Sequence, residues 1–144
     1  MKLTDALLKK VFQIANDAHS GQYRRDGVTP YIKHPMDVAT RVSHLGNEYV
    51  AVAYLHDVLE DTDTTVDDLV NAGVPNDIIQ AVSILTKHNH DKISYDEYLV
   101  NVKNNNLARR VKIADMLSNL ADSPTDKQIR KYSKGLLFLV DGKL

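Results

Sequence analysis

The chain contains no cysteine, so disulfides and thiolate metal sites are excluded and any metal must be held by His, Asp or Glu. No apolar run approaches the roughly 20 residues of a membrane span. The N-terminal MKLTDALLKK also lacks the apolar core of a secretory signal. A cytoplasmic protein without a membrane partner is expected. An excess of charge is missing too: 18 Lys plus Arg stand against 19 Asp plus Glu. That balance argues against a nucleic-acid binder relying on bulk positive charge. Glutamate is scarce, with 3 Glu beside 16 Asp, so the hard ligands on offer are mostly aspartates and the 6 His.

What is there suits one soluble globular domain. The 144 residues leave room for a single domain spanning 1–144 and none for a second. A chain of this length buries roughly 68–70% of its unfolded surface and needs no metal merely to fold. Apolar residues recur at helical steps nearly throughout. Leu3, Leu7, Val11, Ile14 and Ala18 form one face, ended by Gly21. A polar loop leads to His34, and Pro35 suits the first turn of a second helix carrying Val38, Ala39 and Val42. Asn47 can cap a third helix running through Leu55 to Leu59, and Thr64 a short one stopping at Gly73. Pro75 starts the next, Ser94 and Glu97 have capping-box spacing, and Asn104-Asn105-Asn106 is a break. A helix from about Leu107 to Ala121 and one opened by Pro124 complete an all-α domain of about seven helices.

The third helix carries the densest chemistry, in Tyr54-Leu55-His56-Asp57-Val58-Leu59-Glu60-Asp61. On a continuous helix His56, Asp57, Glu60 and Asp61 fall at about 0°, 100°, 40° and 140°, in one sector. Solvated carboxylates at an exposed helix end would account for Asp61 and Glu60. They account poorly for His56 and Asp57, which follow an apolar run and need partners if buried; a metal site is favoured. Asp115 shares a helix face with Lys112 and Asn119. Alone this reads as a surface ion pair; beside a metal helix, Asp115 is the natural further carboxylate. His34, before Pro35, is held at a helix start and reads also as a cap or surface residue. Arg24 and Arg25 can grip a phosphate or stack on a base, or simply sit in solvent. His88 and His90 read as surface residues, His19 and His44 as helix-end cations.

Together, AHSGQYRRDG, TPYIKHPMDVA, AYLHDVLEDTDTT and VKIADMLSNL resemble the HD-domain metal phosphohydrolases. The narrower likeness is to the alarmone hydrolase domain of the RelA/SpoT family and its small stand-alone forms. The resemblance implies an HD-type helical bundle in which His34, His56, Asp57 and Asp115 hold a divalent metal, usually Mn²⁺. It implies that Glu60 and Asp61 position and activate water, and that Arg24, Arg25, Lys112 and Asn119 bind a small-molecule nucleotide, with Lys112 facing phosphate. Tyr132 and Lys134 are further candidates for the far side of the pocket. The implied reaction is hydrolysis of the 3′-pyrophosphate of (p)ppGpp to GDP or GTP plus pyrophosphate. Another nucleotide phosphoester and a non-catalytic nucleotide sensor are the alternatives. The chain departs from the family at Met116, where a basic residue is common, at Ser118, where His or Tyr is common, and at Asp122, where a small neutral residue is usual. Asp122 is expected to face away from the ligand or to contact its sugar or base. Nothing in the sequence sets an oligomeric state.

Overall fold

A computed structural model describes residues 3–87 and 92–141. The described residues fold into helices α1 (Asp5–Ala18), α2 (Lys33–Val42), α3 (Asn47–Leu55), α4 (Val58–Asp61), α5 (Val66–Asn71), α6 (Asn76–Leu85), α7 (Tyr95–Lys103), α8 (Asn106–Leu120) and α9 (Asp126–Asp141). A 3₁₀ turn, Ser43–Leu45, links α2 to α3. Among the described residues there is no strand, only an isolated antiparallel bridge between Tyr23 and Pro30. The all-α expectation holds, with more and shorter helices than the seven expected. His88-Asn89-His90 lies outside the described residues.

Helix α3 occupies the centre, packed against α1, α2, α6 and α8. Its Val50, Ala51, Val52, Ala53 and Leu55 are all buried, because a helix covered on every side must be apolar all round. The two alanines let neighbouring backbones come close. Helix α8 lies against α2, α3, α6, α7 and α9 and buries Ala108, Val111, Ala114 and Met116. Gly135 on α9 makes room for Met116, since a Cβ there would stand 2.7 Å from the Met116 methyl carbon.

Local signals mostly match the sequence. Val38, Ala39 and Val42 are buried on α2, and Ile78, Ile79, Val82 and Leu85 on α6. Asn105 caps α8 through Ala108 N, and Ser94 accepts from Glu97 N at the start of α7. Two caps shift. Thr65, not Thr64, caps α5, because Asp68 returns its bond in a capping box. Asn47 is inside α3 and spends its side-chain amide on Leu3 O and Asp5 Oδ1, both at 3.0 Å.

The largest correction concerns the expected single helix through Leu59. It ends at Leu55: His56 Nδ1 lies 2.6 Å from Ala53 O, and the His56 backbone N–H reaches the same carbonyl. That carbonyl is thus taken by His56, Asp57 adopts φ −106 and ψ −1, and α4 starts afresh at Val58. The wheel that put four polar residues in one sector therefore does not apply. Leu55, fully buried just before the break, anchors the turn to the core. Leu55→Ala should cost about 2–5 kcal/mol in chemical denaturation; a loss below 1 kcal/mol (about the size of a single methylene) would mean the turn is not anchored there.

Candidate metal centre

His34 enters from the first turn of α2, His56 and Asp57 from the α3–α4 break, and Asp115 from the middle of α8. His34, His56 and Asp115 are buried; Asp57 is partly so. His34, His56 and Asp57 each offer a ligand atom, all within 4.8 Å of one another. Asp115 is outside that tightest group yet adjoins it: its Oδ1 lies 2.7 Å from His34 Nε2 and 3.4 Å from His56 Nε2. His56 Nε2 is also 3.1 Å from Asp57 Oδ2, yet it is buried without a hydrogen bond to either carboxylate. A ring nitrogen aimed between two carboxylates and satisfied by neither is a position that an ion would satisfy. Two imidazoles and two carboxylates fit a borderline divalent ion.

The electrostatics favour a cation there. Burial opposes charge on His56, but Asp57 and Asp115 outweigh it and hold its pKa well above the ordinary value. Burial likewise works to raise Asp57, but the neighbouring His56 outweighs it and draws Asp57 down to about 2. Burial also opposes the Asp115 charge, and Lys112 outweighs it to hold Asp115 well below the usual carboxylate range. Lys112 Nζ donates to Asp115 Oδ2 at 3.1 Å. An ion entering the cluster would displace a proton from His56.

Two partners that the sequence reading missed orient these groups. Tyr31 donates its hydroxyl to Asp57 Oδ2 at 2.5 Å. Burial, then the Asp57 charge, push the Tyr31 phenol above its ordinary value, so it remains a donor. Ser118 Oγ lies 3.2 Å from His34 Nδ1. His19 stands at the end of α1 as expected, but not as a cation. It is buried, with Nδ1 2.8 Å from Gln22 Oε1 and its ring 4.9 Å from Tyr31, and burial lowers its pKa. His44 is exposed in the 3₁₀ turn. Only their places in two of the family-like motifs, Tyr31 in TPYIKHPMDVA and His19 in AHSGQYRRDG, could have flagged them.

A cleft of 180 Å³ opens from the cluster, lined by His56, Asp57, Glu60, Lys112 and Asp115 together with Lys87, Tyr95, Tyr98 and Lys131. Glu60 Oε1 accepts from Lys87 N at 2.6 Å. The ammonium groups of Lys87 and Lys131 lie 5.3 and 4.6 Å from the Tyr95 ring centre, and that of Lys112 lies 5.6 Å from the Tyr98 ring centre. Burial, then Lys112 and Lys87, lower the Lys131 pKa. The Tyr95 hydroxyl is buried and has no hydrogen-bond partner among the described residues. Lys131, not its neighbours Tyr132 and Lys134, lines the cleft; the Tyr132 ring centre lies 5.9 Å from Lys131 Nζ.

The remaining expected residues divide. Asn119 Nδ2 reaches Asp115 Oδ1 at 3.4 Å. Asp61 lines a separate depression with Gln22, Thr62 and Asp68, and Gln22 Nε2 donates to its backbone oxygen. Arg24 and Arg25 lie beside the cluster in a third depression of 420 Å³. Asp122, expected to face away from the ligand or to contact its sugar or base, lines this same depression, where its Oδ2 pairs with Arg24 at 2.7 Å.

The HD domain family model matches residues 12–134. Guanosine-3′,5′-bis(diphosphate) 3′-pyrophosphohydrolase MESH1 of Danio rerio is 35% identical over 127 residues, covering 81% of this chain and 69% of that protein. The guanosine-3′,5′-bis(diphosphate) 3′-pyrophosphohydrolase of Haemophilus influenzae is 47% identical over 79 residues, covering 51% of this chain and 11% of that protein. The chain thus spans about a tenth of the length of such bacterial relatives. The solved structure of a metazoan orthologue of SpoT, described as hydrolysing ppGpp, superposes with a TM-score of 0.77 at 26% identity, over 99% of this chain and 90% of that one.

Two outcomes follow from the geometry. Tyr31→Phe should weaken Mn²⁺ binding, read by calorimetry, by about ten- to a hundredfold, and lower stability by about 1.5–3 kcal/mol; unchanged binding would show that the Tyr31 bond does not orient Asp57. Partial burial, with Asp57 and Glu60 beside it, raises Asp61 from 3.8 to about 6. Near neutral pH the fold holds an ionised Asp61 that it disfavours. On acidification the folded protein takes up this proton before the unfolded chain does, so this group adds stability as pH falls. Asp61→Asn should therefore melt above the parent at about pH 7, with the gap closing by about pH 4; equal melting at both would remove the shift.

Proposed function

The chain belongs to the HD domain family, and we propose that it is a metal-dependent phosphohydrolase releasing pyrophosphate from the 3′ position of (p)ppGpp. The observation that carries this reading is the largely buried His34–His56–Asp57 group, with an unsatisfied imidazole nitrogen, at the floor of a cleft bearing three lysines. The 3′-pyrophosphohydrolase name of the Danio rerio relative supports the substrate. We read residues 1–144 as one such domain acting in the cytoplasm.

His34, His56, Asp57 and Asp115 would hold the ion; Mn²⁺ is the metal that the family resemblance implies, and an all N/O donor set is consistent with it. When bound, a divalent ion supplies Lewis acidity toward a phosphoryl oxygen and makes nearby water easier to deprotonate. Glu60, in the cleft, accepts the proton of the attacking water, while Asp61 behind it adds negative charge. Lys87, Lys112 and Lys131 offset the charge of the diphosphate, and the buried Tyr95 hydroxyl donates to it. The water oxygen bonds to the phosphorus carried by the 3′ oxygen. The bond between that phosphorus and the 3′ oxygen breaks, the 3′ oxygen takes up the proton held by Glu60 and leaves as a hydroxyl, and the two phosphates depart as pyrophosphate. Asn119 steadies Asp115, and Arg24 and Arg25 stand at the nucleoside end.

Pyrophosphate release from ppGpp, with Mn²⁺ and with chelator, tests the reading. Release should require the metal. Asp57→Ala should lose metal and turnover together. Glu60→Gln should keep the metal and lose about a hundredfold or more in kcat. Full rate in Glu60→Gln would remove its proton-accepting role. No release from ppGpp with metal still bound would shift the substrate to another nucleotide phosphoester.

A further inference from the structure

The two depressions flanking the cluster differ in charge. The cleft carries three ammonium groups facing Glu60 and the cluster carboxylates. The other depression is lined by Arg24, Arg25, Asp26, Thr29, Asp122 and Ser123, two cations against two anions. Both anions are tied in place. Asp26 accepts from Thr29 Oγ1 at 2.6 Å and from Val28 N and Thr29 N at 2.9 Å, and these bonds lower its pKa to about 2. Asp122 pairs with Arg24, whose side chain is only 16% exposed against 53% for Asp122. The Arg24 guanidinium also lies 5.8 Å from the Tyr31 ring centre, and Tyr31 reaches Asp57, so Tyr31 links this depression to the cluster. Arg25 is spent on the turn between α8 and α9, donating to Asp122 O at 2.8 Å and to Gln128 Oε1 at 3.3 Å.

A largely buried guanidinium without a counter-ion would be a strong anion site. Asp122 fills that role from within the chain. We propose that Asp122 is a specificity-determining residue: by pairing with Arg24 it keeps the arginine depression electrically balanced, so an uncharged nucleoside end enters there and phosphates go to the lysine cleft. Which part of a substrate enters rests on the nucleotide reading above; the charge balance does not. A phosphate approaching Arg24 meets Asp122 and Asp26 as like charges. A base and ribose meet donors and acceptors with no net charge to overcome.

Asp122→Asn keeps the side-chain shape and removes the charge. Inorganic pyrophosphate titrated calorimetrically into the metal-loaded protein should bind this variant about tenfold more tightly than the parent. The gain should shrink at high salt and vanish in the double variant Arg24→Gln/Asp122→Asn. Asp122→Glu, which keeps the charge, should show no gain. Asp122→Thr serves as a second uncharged variant if the Asn form folds poorly. A purely structural pair would lower the melting temperature with no gain in anion affinity, and that result overturns the proposal. So does a gain that survives loss of Arg24. The titration needs no turnover, so failure to hydrolyse ppGpp would sink the substrate reading and leave this one intact.

Discussion

Two imidazoles and two carboxylates sharing an apolar interior form the constraint on which the rest depends. Burying such groups is costly unless each finds a partner. Here the partners are largely one another, with Tyr31, Ser118 and Lys112 around them. Among the described residues, the arrangement leaves His56 Nε2 unsatisfied between two carboxylate oxygens. A core built only for stability would have no reason to hold that nitrogen there. Replacing the four by apolar residues of similar volume would remove the desolvation cost altogether. The cluster therefore reads as a site that the fold supports at its own expense.

The break between α3 and α4 is how the backbone meets that constraint. A continuous helix would have spread His56, Asp57, Glu60 and Asp61 along about 140° of its surface. By turning back to Ala53 O with both its backbone and its ring, His56 ends α3 and fixes its own imidazole in one motion. Nε2 is left to face the cluster. Asp57 then sits at the turn between α3 and α4 within reach of Tyr31, and the new helix α4 separates Glu60, in the cleft, from Asp61, in the neighbouring depression.

This division explains what the sequence disclosed and what it did not. The apolar faces of α1, α2 and α6 follow from spacing alone, because a residue four positions on returns to the same side. His34, His56, Asp57 and Asp115 could be assembled because four motifs in order resemble one family. Their meeting depends on three separate segments crossing, which no single periodicity encodes. Lys87 and Lys131 were not legible, since isolated lysines in sequence look alike and only the packing of α9 and the end of α6 around Tyr95 brings them together. Tyr31 was quoted within the His34 motif without a role, because its meaning lies in a bond to a residue 26 positions away. Asp122 was legible as a departure, while its pairing with Arg24, 98 positions away, was not.

The opposed character of the two depressions gives the site a direction. Near-zero net charge over the whole chain, −1 by formal count, conceals a local separation: lysines gather on one side of the cluster, while the arginines on the other side are matched by aspartates. A ligand with a phosphate chain on one side and a neutral base on another gains most by lying across the cluster, the reacting phosphates toward Lys87, Lys112 and Lys131. A uniformly basic pocket would attract the same ligand without fixing which end reacts. Like charge set against the wrong end is what turns attraction into orientation. On this view Asp122 belongs to the same electrostatic design as the lysines, although it lies on the opposite side of the cluster and bears the opposite sign.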